Sequence, residues 1–261
     1  MTHHGNAQLA GRVAVVTGAS RGIGRATVLR LAADGAQVVG LARQSADLED
    51  LAATGDGSTG TIASKACDVR SASEVGTVIA AVEAEFGRID ILVNNAGVER
   101  VKPVEAVTDA DVDATIDTNL RGTFHAIRAV LPGMRQRHSG HIVSVSSAAG
   151  IRGFAEDAIY CATKFGVVGL MDALDEEVRK DGIRVTTICP GAIDTTLVRW
   201  VDDDSAYRAH FLRPDDVAEA IAYAVNQPAR VAVGLVVVRP FVEPPYSPML
   251  ELETMAKLGA P

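Results

Sequence analysis

A tyrosine and a lysine stand one helical turn apart in the stretch YCATK, as Tyr160 and Lys164. At this offset two side chains of a helix share a face, with Cβ atoms roughly 5–6 Å apart. A tyrosine with its ordinary pKa of about 10 is a poor acid or base at neutral pH, and a neighbouring ammonium stabilises its phenolate. The pair is therefore a candidate for proton transfer. Upstream lies SSAAG, in which Ser147 opens an SxxG pattern. A hydroxyl there would hydrogen-bond a carbonyl oxygen and orient it. Ser144 and Ser146 alternate with Ser147 along an extended chain and so point to other faces, which singles out Ser147.

A second cluster suits phosphate. The stretch TGASRGIGRA places Gly18, Gly22 and Gly24 between an apolar run and a helical pattern. Glycine allows a tight turn and a close backbone approach to a pyrophosphate, and a helix N-terminus offers free N–H groups and positive potential. The arrangement predicts dinucleotide binding. The next apolar run ends VVGLAR, so Ala42 and Arg43 stand where a carboxylate would bind the adenosine ribose diol. With no acid there, and with Arg21 in the glycine loop, two guanidiniums are available for a 2′-phosphate. That favours NADP(H).

These groups need a scaffold. Short apolar runs at 13–17, 37–41, 61–66, 89–94, 141–146, 184–188 and 234–238 alternate with helical patterns at 24–34, 47–54, 73–86, 109–136, 160–181 and 214–226. Alternation of this kind predicts βαβ units and a parallel sheet, and continuously apolar strands fit burial on both faces. No linker divides the chain. The expected architecture is α/β: a single-domain Rossmann fold with a doubly wound, seven-stranded parallel sheet flanked by helices. It would span residues 1–261, with a core over about 9–240, a substrate lid at 196–213 and an extension at 241–261. The GDGSTG stretch at 55–60 reads as a surface loop.

Composition narrows the function. The 261 residues carry a net charge of −8, which argues against a nucleic-acid surface. No apolar run approaches a membrane span, and the N-terminal stretch lacks the pattern of a secretory signal. Cys67, Cys161 and Cys189 form no CxxC, and the histidines form no spaced ligand set with them. The expectation is a reduced, cytoplasmic protein without a metal site.

The motifs, taken in order, resemble those of the short-chain dehydrogenase/reductases: TGASRGIG at 17–24, Asp68–Val69, NNAG at 94–97, Asn119 in TNLRG, SSAAG at 146–150, YCATK at 160–164 and PGAIDT at 190–195. The resemblance runs from about Leu9 to Pro240. It implies an NADP(H)-dependent interconversion of a ketone or aldehyde and an alcohol. Tyr160 would be the acid or base, with its pKa lowered by Lys164, which would also bind the nicotinamide ribose. Ser147 would hold the substrate carbonyl, and Asn119 a relay water through its helix backbone. Gly18, Ser20, Arg21, Gly22, Ile23, Gly24 and Arg43 would bind the phosphates and adenosine. Asp68 and Val69 would meet the adenine, Asn95, Ala96 and Gly97 the adenine ribose, and Pro190, Gly191, Ile193 and Thr195 the nicotinamide end. A homotetramer, or else a dimer, paired through the helices at 109–136 and 160–181 is implied.

The last strand departs from the family's Gly-rich ending and reads GLVVVRPFVEPP, which brings some reductases of small 3-hydroxy acids closer. A 3-oxoacyl or 3-hydroxyacid reductase, and a non-catalytic NADP-binding regulatory protein, are the alternatives. In the lid, Trp200, Tyr207 and Phe211 would form apolar walls, and Arg152, Arg199 or Arg208 would meet a carboxylate.

Overall fold

A computed structural model describes residues 8–43, 51, 59–195 and 208–242. The helix expected at 47–54, except Leu51, lies outside these residues. So do most of the loop at 55–60, Arg199, Trp200, Tyr207 and the extension beyond residue 242.

Seven strands form one sheet. They are β1 (Val13–Thr17), β2 (Gln37–Ala42), β3 (Thr61–Ala66), β4 (Ile91–Asn94), β5 (Gly140–Val145), β6 (Ile183–Pro190) and β7 (Leu235–Val238). Their order is β3-β2-β1-β4-β5-β6-β7 and every pairing is parallel. The sequence direction reverses between β1 and β4, and a crevice at the carboxyl ends of such strands is where open α/β sheets bind ligands.

All five residues of β1 are buried, as a strand covered on both faces requires. Ala14 and Val16 pack with Val28 and Leu31 of α1 (Gly22–Ala33) and with Ile221 and Val225 of α6 (Pro214–Val225). Val13 and Val15 face the other way. They pack with Ile79 of α2 (Ala72–Phe86), Ile127 and Met134 of α4 (Gly122–Arg137), and Met171 of α5 (Ala158–Val178). Period-two alternation along one strand thus feeds two separate cores.

The long helix expected over 109–136 is not continuous. A helix α3 (Asp109–Ile116) runs into a π turn at Asp117–Arg121 before α4 begins. Asn119 lies within that turn and is almost fully buried. The wider turn inserts a residue into the helical ladder, which re-aims the amide side chain inward. The start of α3 is fixed by a capping box: Thr108 accepts the Asp111 N–H, and the Asp111 carboxylate accepts the Thr108 N–H. Among the described residues no helix is long and apolar enough to cross a membrane.

One ionisable group within the sheet makes stability depend on pH. His141 of β5 is buried, and its Nε2 lies 2.8 Å from the Thr186 hydroxyl. Burial, reinforced by Arg184, pushes its pKa from 6.5 down to about 3. As pH falls through about 6.5 the unfolded chain takes up this proton and the folded chain does not, so the folded state loses ground until about pH 3. His141→Gln should remove up to about 1.4 kcal/mol per pH unit from the acid-side slope of stability. Urea unfolding at a series of pH values would show the difference.

Candidate active site

The glycine loop between β1 and α1 is held from beneath. The Thr17 hydroxyl accepts the N–H groups of Asn95 and Ala96 at 3.0 and 3.1 Å. The Asn95 amide donates to the carbonyls of Thr17 and Gly18. Gly18 has φ of 65°, in the left-handed region, and a Cβ on it would lie 2.8 Å from the Ala96 Cα. A Cβ on Gly24 would lie 2.1 Å from the Gly18 carbonyl oxygen. Only glycine allows α1 to start so close to the loop that precedes it. Asn95 therefore builds the cradle as well as lining it.

One cleft runs along the carboxyl ends of the strands. From the glycine loop and the ends of β2 and β3 it is lined by Gly18, Ser20, Arg21, Gly22, Ile23, Ala42, Arg43, Asp68, Val69 and Arg70. Asn95, Ala96 and Gly97 line it after β4, and Ser147, Tyr160, Lys164, Pro190, Gly191, Ile193 and Thr195 after β5 and β6. The Asp68 carboxylate, expected to face adenine, is engaged by the Arg70 guanidinium at 2.6 Å, which holds its pKa below the usual range. Arg70 was not foreseen; it adds a third guanidinium to Arg21 and Arg43.

Helix α5 sets Tyr160 and Lys164 on one face, both buried. The Lys164 ammonium donates to the Val145 carbonyl at 3.0 Å and lies 5.4 Å from the centre of the Tyr160 ring. Ser147 follows β5 with an extended backbone, accepts the Ala149 N–H, and stands close enough to Tyr160 to favour its phenolate. Ser146 turns away and donates to the Lys164 carbonyl, while Ser144 bonds the Asn94 amide.

Asn119 joins three segments. Its Oδ1 accepts the Val98 N–H, and its Nδ2 donates to the Val98 carbonyl, both at 2.8 Å. The same Nδ2 donates to the Thr163 hydroxyl. Its side chain is committed to structure, and its own carbonyl accepts from the Thr123 hydroxyl.

The electrostatics correct one expectation. Taken together, the chain's own groups hold the Tyr160 pKa above its ordinary value. Burial raises it well above 10, and the Glu99 carboxyl raises it further; the Ser147 hydrogen bond pulls the other way. The Lys164 ammonium lies over the Tyr160 ring and donates to the Val145 carbonyl. Burial in turn lowers Lys164 to about 8, against the pull of Glu99. The three cysteines are buried, and burial pushes the Cys67 thiol up to about 11, so none is an activated nucleophile.

Residues 12–206 match the family described as short chain dehydrogenase. The chain belongs to the short-chain dehydrogenase/reductase family. An uncharacterised oxidoreductase of Staphylococcus saprophyticus is 39% identical over 237 residues, covering 89% of this chain and 99% of its own. A solved metagenomic short-chain oxidoreductase in complex with NADP is 36% identical, with a TM-score of 0.79, covering 90% of this chain and all of that one. An alcohol dehydrogenase from the archaeon Thermococcus sibiricus, complexed with 5-hydroxy-NADP, is 28% identical with a TM-score of 0.83, covering 90% of this chain and 98% of that one.

Within this short-chain dehydrogenase/reductase the sequence reading passed over Glu99 and Asp157, which line the cleft beside Tyr160. Asp157 lies one turn before Tyr160, so helical spacing was a signal for it; Glu99 follows the NNAG motif directly. The expected lid falls mostly outside the described residues. Its end is anchored, with the Leu212 N–H donating to the Ala192 carbonyl, Arg208 paired to Asp194, and Phe211 buried. Arg152 lies over the Phe154 ring.

Replacing Asn119 by Ala should cost about 2–4 kcal/mol, because it strands both polar groups of the Val98 backbone. Urea unfolding of the two proteins would measure the loss.

Proposed function

We propose that the protein is an NADP(H)-dependent oxidoreductase that interconverts a ketone or aldehyde and the corresponding alcohol, with Tyr160 as the proton donor or acceptor. One observation carries this reading. Ser147, Tyr160 and Lys164 line the same cleft as the glycine cradle.

The residues fit the cofactor. The close approach at Gly24 leaves backbone at the mouth of α1 for a pyrophosphate. Arg21 and Arg43 line the cleft, and β2 ends in Ala42 and Arg43 without an acid, which suits a 2′-phosphate; Arg70 is paired with Asp68. The structures of similar proteins holding NADP and 5-hydroxy-NADP support the same choice. Bound there, the dinucleotide would supply or accept the hydride.

The chain's own groups handle the oxygen and its proton. Ser147 and Tyr160 would donate hydrogen bonds to the substrate carbonyl oxygen, which polarises it. In reduction the Tyr160 proton passes to that oxygen as it becomes a hydroxyl. The phenolate left behind is stabilised by the Ser147 hydroxyl and by the ammonium of Lys164, which also holds the Val145 carbonyl. Alcohol oxidation runs the same transfers backwards. Burial keeps Tyr160 protonated through neutral pH, which suits it to act as the acid.

Assembly belongs to the same reading. Phe124 of α4 and Phe165 of α5 expose large apolar surfaces, 45% and 46% accessible. They support pairing through these helices into a dimer or tetramer, which native mass spectrometry would show in place of a 27.3 kDa species.

NADPH and NADH oxidation measured across aldehydes, ketones and 3-oxo esters would test the activity. Tyr160→Phe should reduce turnover at least about 100-fold, the scale of a general acid. Arg21→Ala with Arg43→Ala should erase a preference for NADPH of about tenfold or more. Reduction needs the protonated phenol, so kcat/KM should hold level through neutral pH and fall at alkaline pH. A rate that rose there would place the proton donor elsewhere.

A further inference from the structure

The loop that joins Ser147 to Tyr160 is fastened at both ends. At its start the N–H groups of Gly150 and Ile151 donate to the carbonyls of Ser147 and Ala148 at 2.9 and 3.1 Å. Towards its end the Lys102 N–H donates to the Glu156 carbonyl at 2.7 Å, which ties the loop to the segment after β4.

Between these ties stands Phe154. Its N–H donates to the Cys161 sulfur at 3.4 Å, one residue past Tyr160. Its side chain packs against the buried cluster of Ala149, Tyr160 and Cys161. The Arg152 guanidinium lies over the ring, 4.7 Å from its centre. Arg152 does not line the cleft, so it covers the ring from another side. Phe154 does line the cleft, and it is only half-buried. The ring is thus held by its neighbours and keeps accessible surface for a molecule in the cleft.

Among the described residues, Phe154 and Tyr160 are the two aromatic side chains that line the cleft. The segments after β5 and β6 add Ala148, Ala149, Ala155 and Ala192 to the wall. These alanines leave room for a ring, and the fixed phenyl group gives that ring a surface to pack on. Aromatic rings pair in offset-stacked or edge-to-face arrangements, with a gain of about three- to tenfold in binding beyond the apolar area buried. In the reading above, Tyr160 gives its proton to the carbonyl oxygen. Phe154 adjoins Tyr160, so the group that meets its ring is the one bonded to the carbonyl carbon. We propose that Phe154 is a specificity-determining residue and that the site takes aryl ketones and the matching aryl carbinols, with the aryl group on the reacting carbon packed against Phe154. This rests on the oxidoreductase reading above and names its substrate class.

Acetophenone and cyclohexyl methyl ketone give the test, each with NADPH. They share a methyl group and differ in a flat or a puckered six-membered ring. Their intrinsic reactivities differ too, so the readout is how their ratio of kcat/KM changes between proteins. Phe154→Leu keeps an apolar side chain and removes the flat face; it should lower the ratio of acetophenone to cyclohexyl methyl ketone by about three- to tenfold, carried mainly by KM. Phe154→Tyr keeps the face and should hold the ratio within about twofold of wild type. A loss of folded protein, or a displaced Tyr160, lowers both rates alike and leaves the ratio unmoved. A ratio unchanged in Phe154→Leu, or lowered as far in Phe154→Tyr, would overturn the proposal and leave the reductase standing. So would turnover of other aldehydes or ketones with neither of these two. Turnover of no carbonyl compound at all by the wild-type protein would overturn both.

Discussion

The amide of Asn119 meets three segments that are distant in sequence. It satisfies both backbone groups of Val98 and one hydroxyl on α5, so the loop after β4, the π turn and the helix bearing Tyr160 are fixed by one side chain. The geometry is demanding because each bond uses a different lone pair or hydrogen of the same planar group. A regular α-helix through 109–137 would carry Asn119 past the position. The π turn places it, and the irregular helix is therefore a condition of the site. Gly97 completes the junction: a Cβ there would lie 3.5 Å from Asn119 Oδ1 and 3.7 Å from Lys164 Nζ.

At the glycine loop the constraint is steric. Thr17 and Asn95 hold the turn between β1 and α1 by four hydrogen bonds, and Gly24 lets the helix begin against the Gly18 carbonyl. The parallel order β3-β2-β1-β4-β5-β6-β7 brings this loop and Ser147 to the same edge of the sheet. The glycine loop and Ser147 thus follow strand termini, and Tyr160 and Lys164 stand in the first two turns of α5.

Charge within the cleft is arranged unevenly. Arg21, Arg43 and Arg70 line the cleft near the glycine loop, while a buried phenol, a buried ammonium and the carboxyls of Glu99 and Asp157 line it beside Ser147. Burial raises the phenol and carboxyl pKa values and lowers that of the ammonium. All four groups are thereby biased towards their neutral forms, as a dry site requires. The protein alone keeps Tyr160 protonated, so a phenolate there depends on whatever positive charge and hydrogen bonds come within reach during turnover.

Much of this was legible from the amino-acid sequence. Strand and helix order, the parallel sheet, the glycine loop and the grouping of Ser147, Tyr160 and Lys164 follow from local patterns: continuous apolar runs, one-turn spacing, and glycines where only glycine fits. The bounds of β1 and β3 coincide with the runs at 13–17 and 61–66, although only β1 is buried throughout; β3, at the edge of the sheet, carries Thr61, Ser64 and Lys65 and is half-buried. The π turn at Asn119 was not legible, since its cause is a partner at Val98 reached only after folding. The engagement of Asp68 by Arg70, the raised pKa of Tyr160, and the closeness of Glu99 to Asp157 were hidden for the same reason. Each depends on which groups share a buried space and on how far water is excluded from it. Sequence patterns record the period of an element and the type of each residue. The partners and the solvation that fix charge states come from contacts between segments, and those exist only in the tertiary structure.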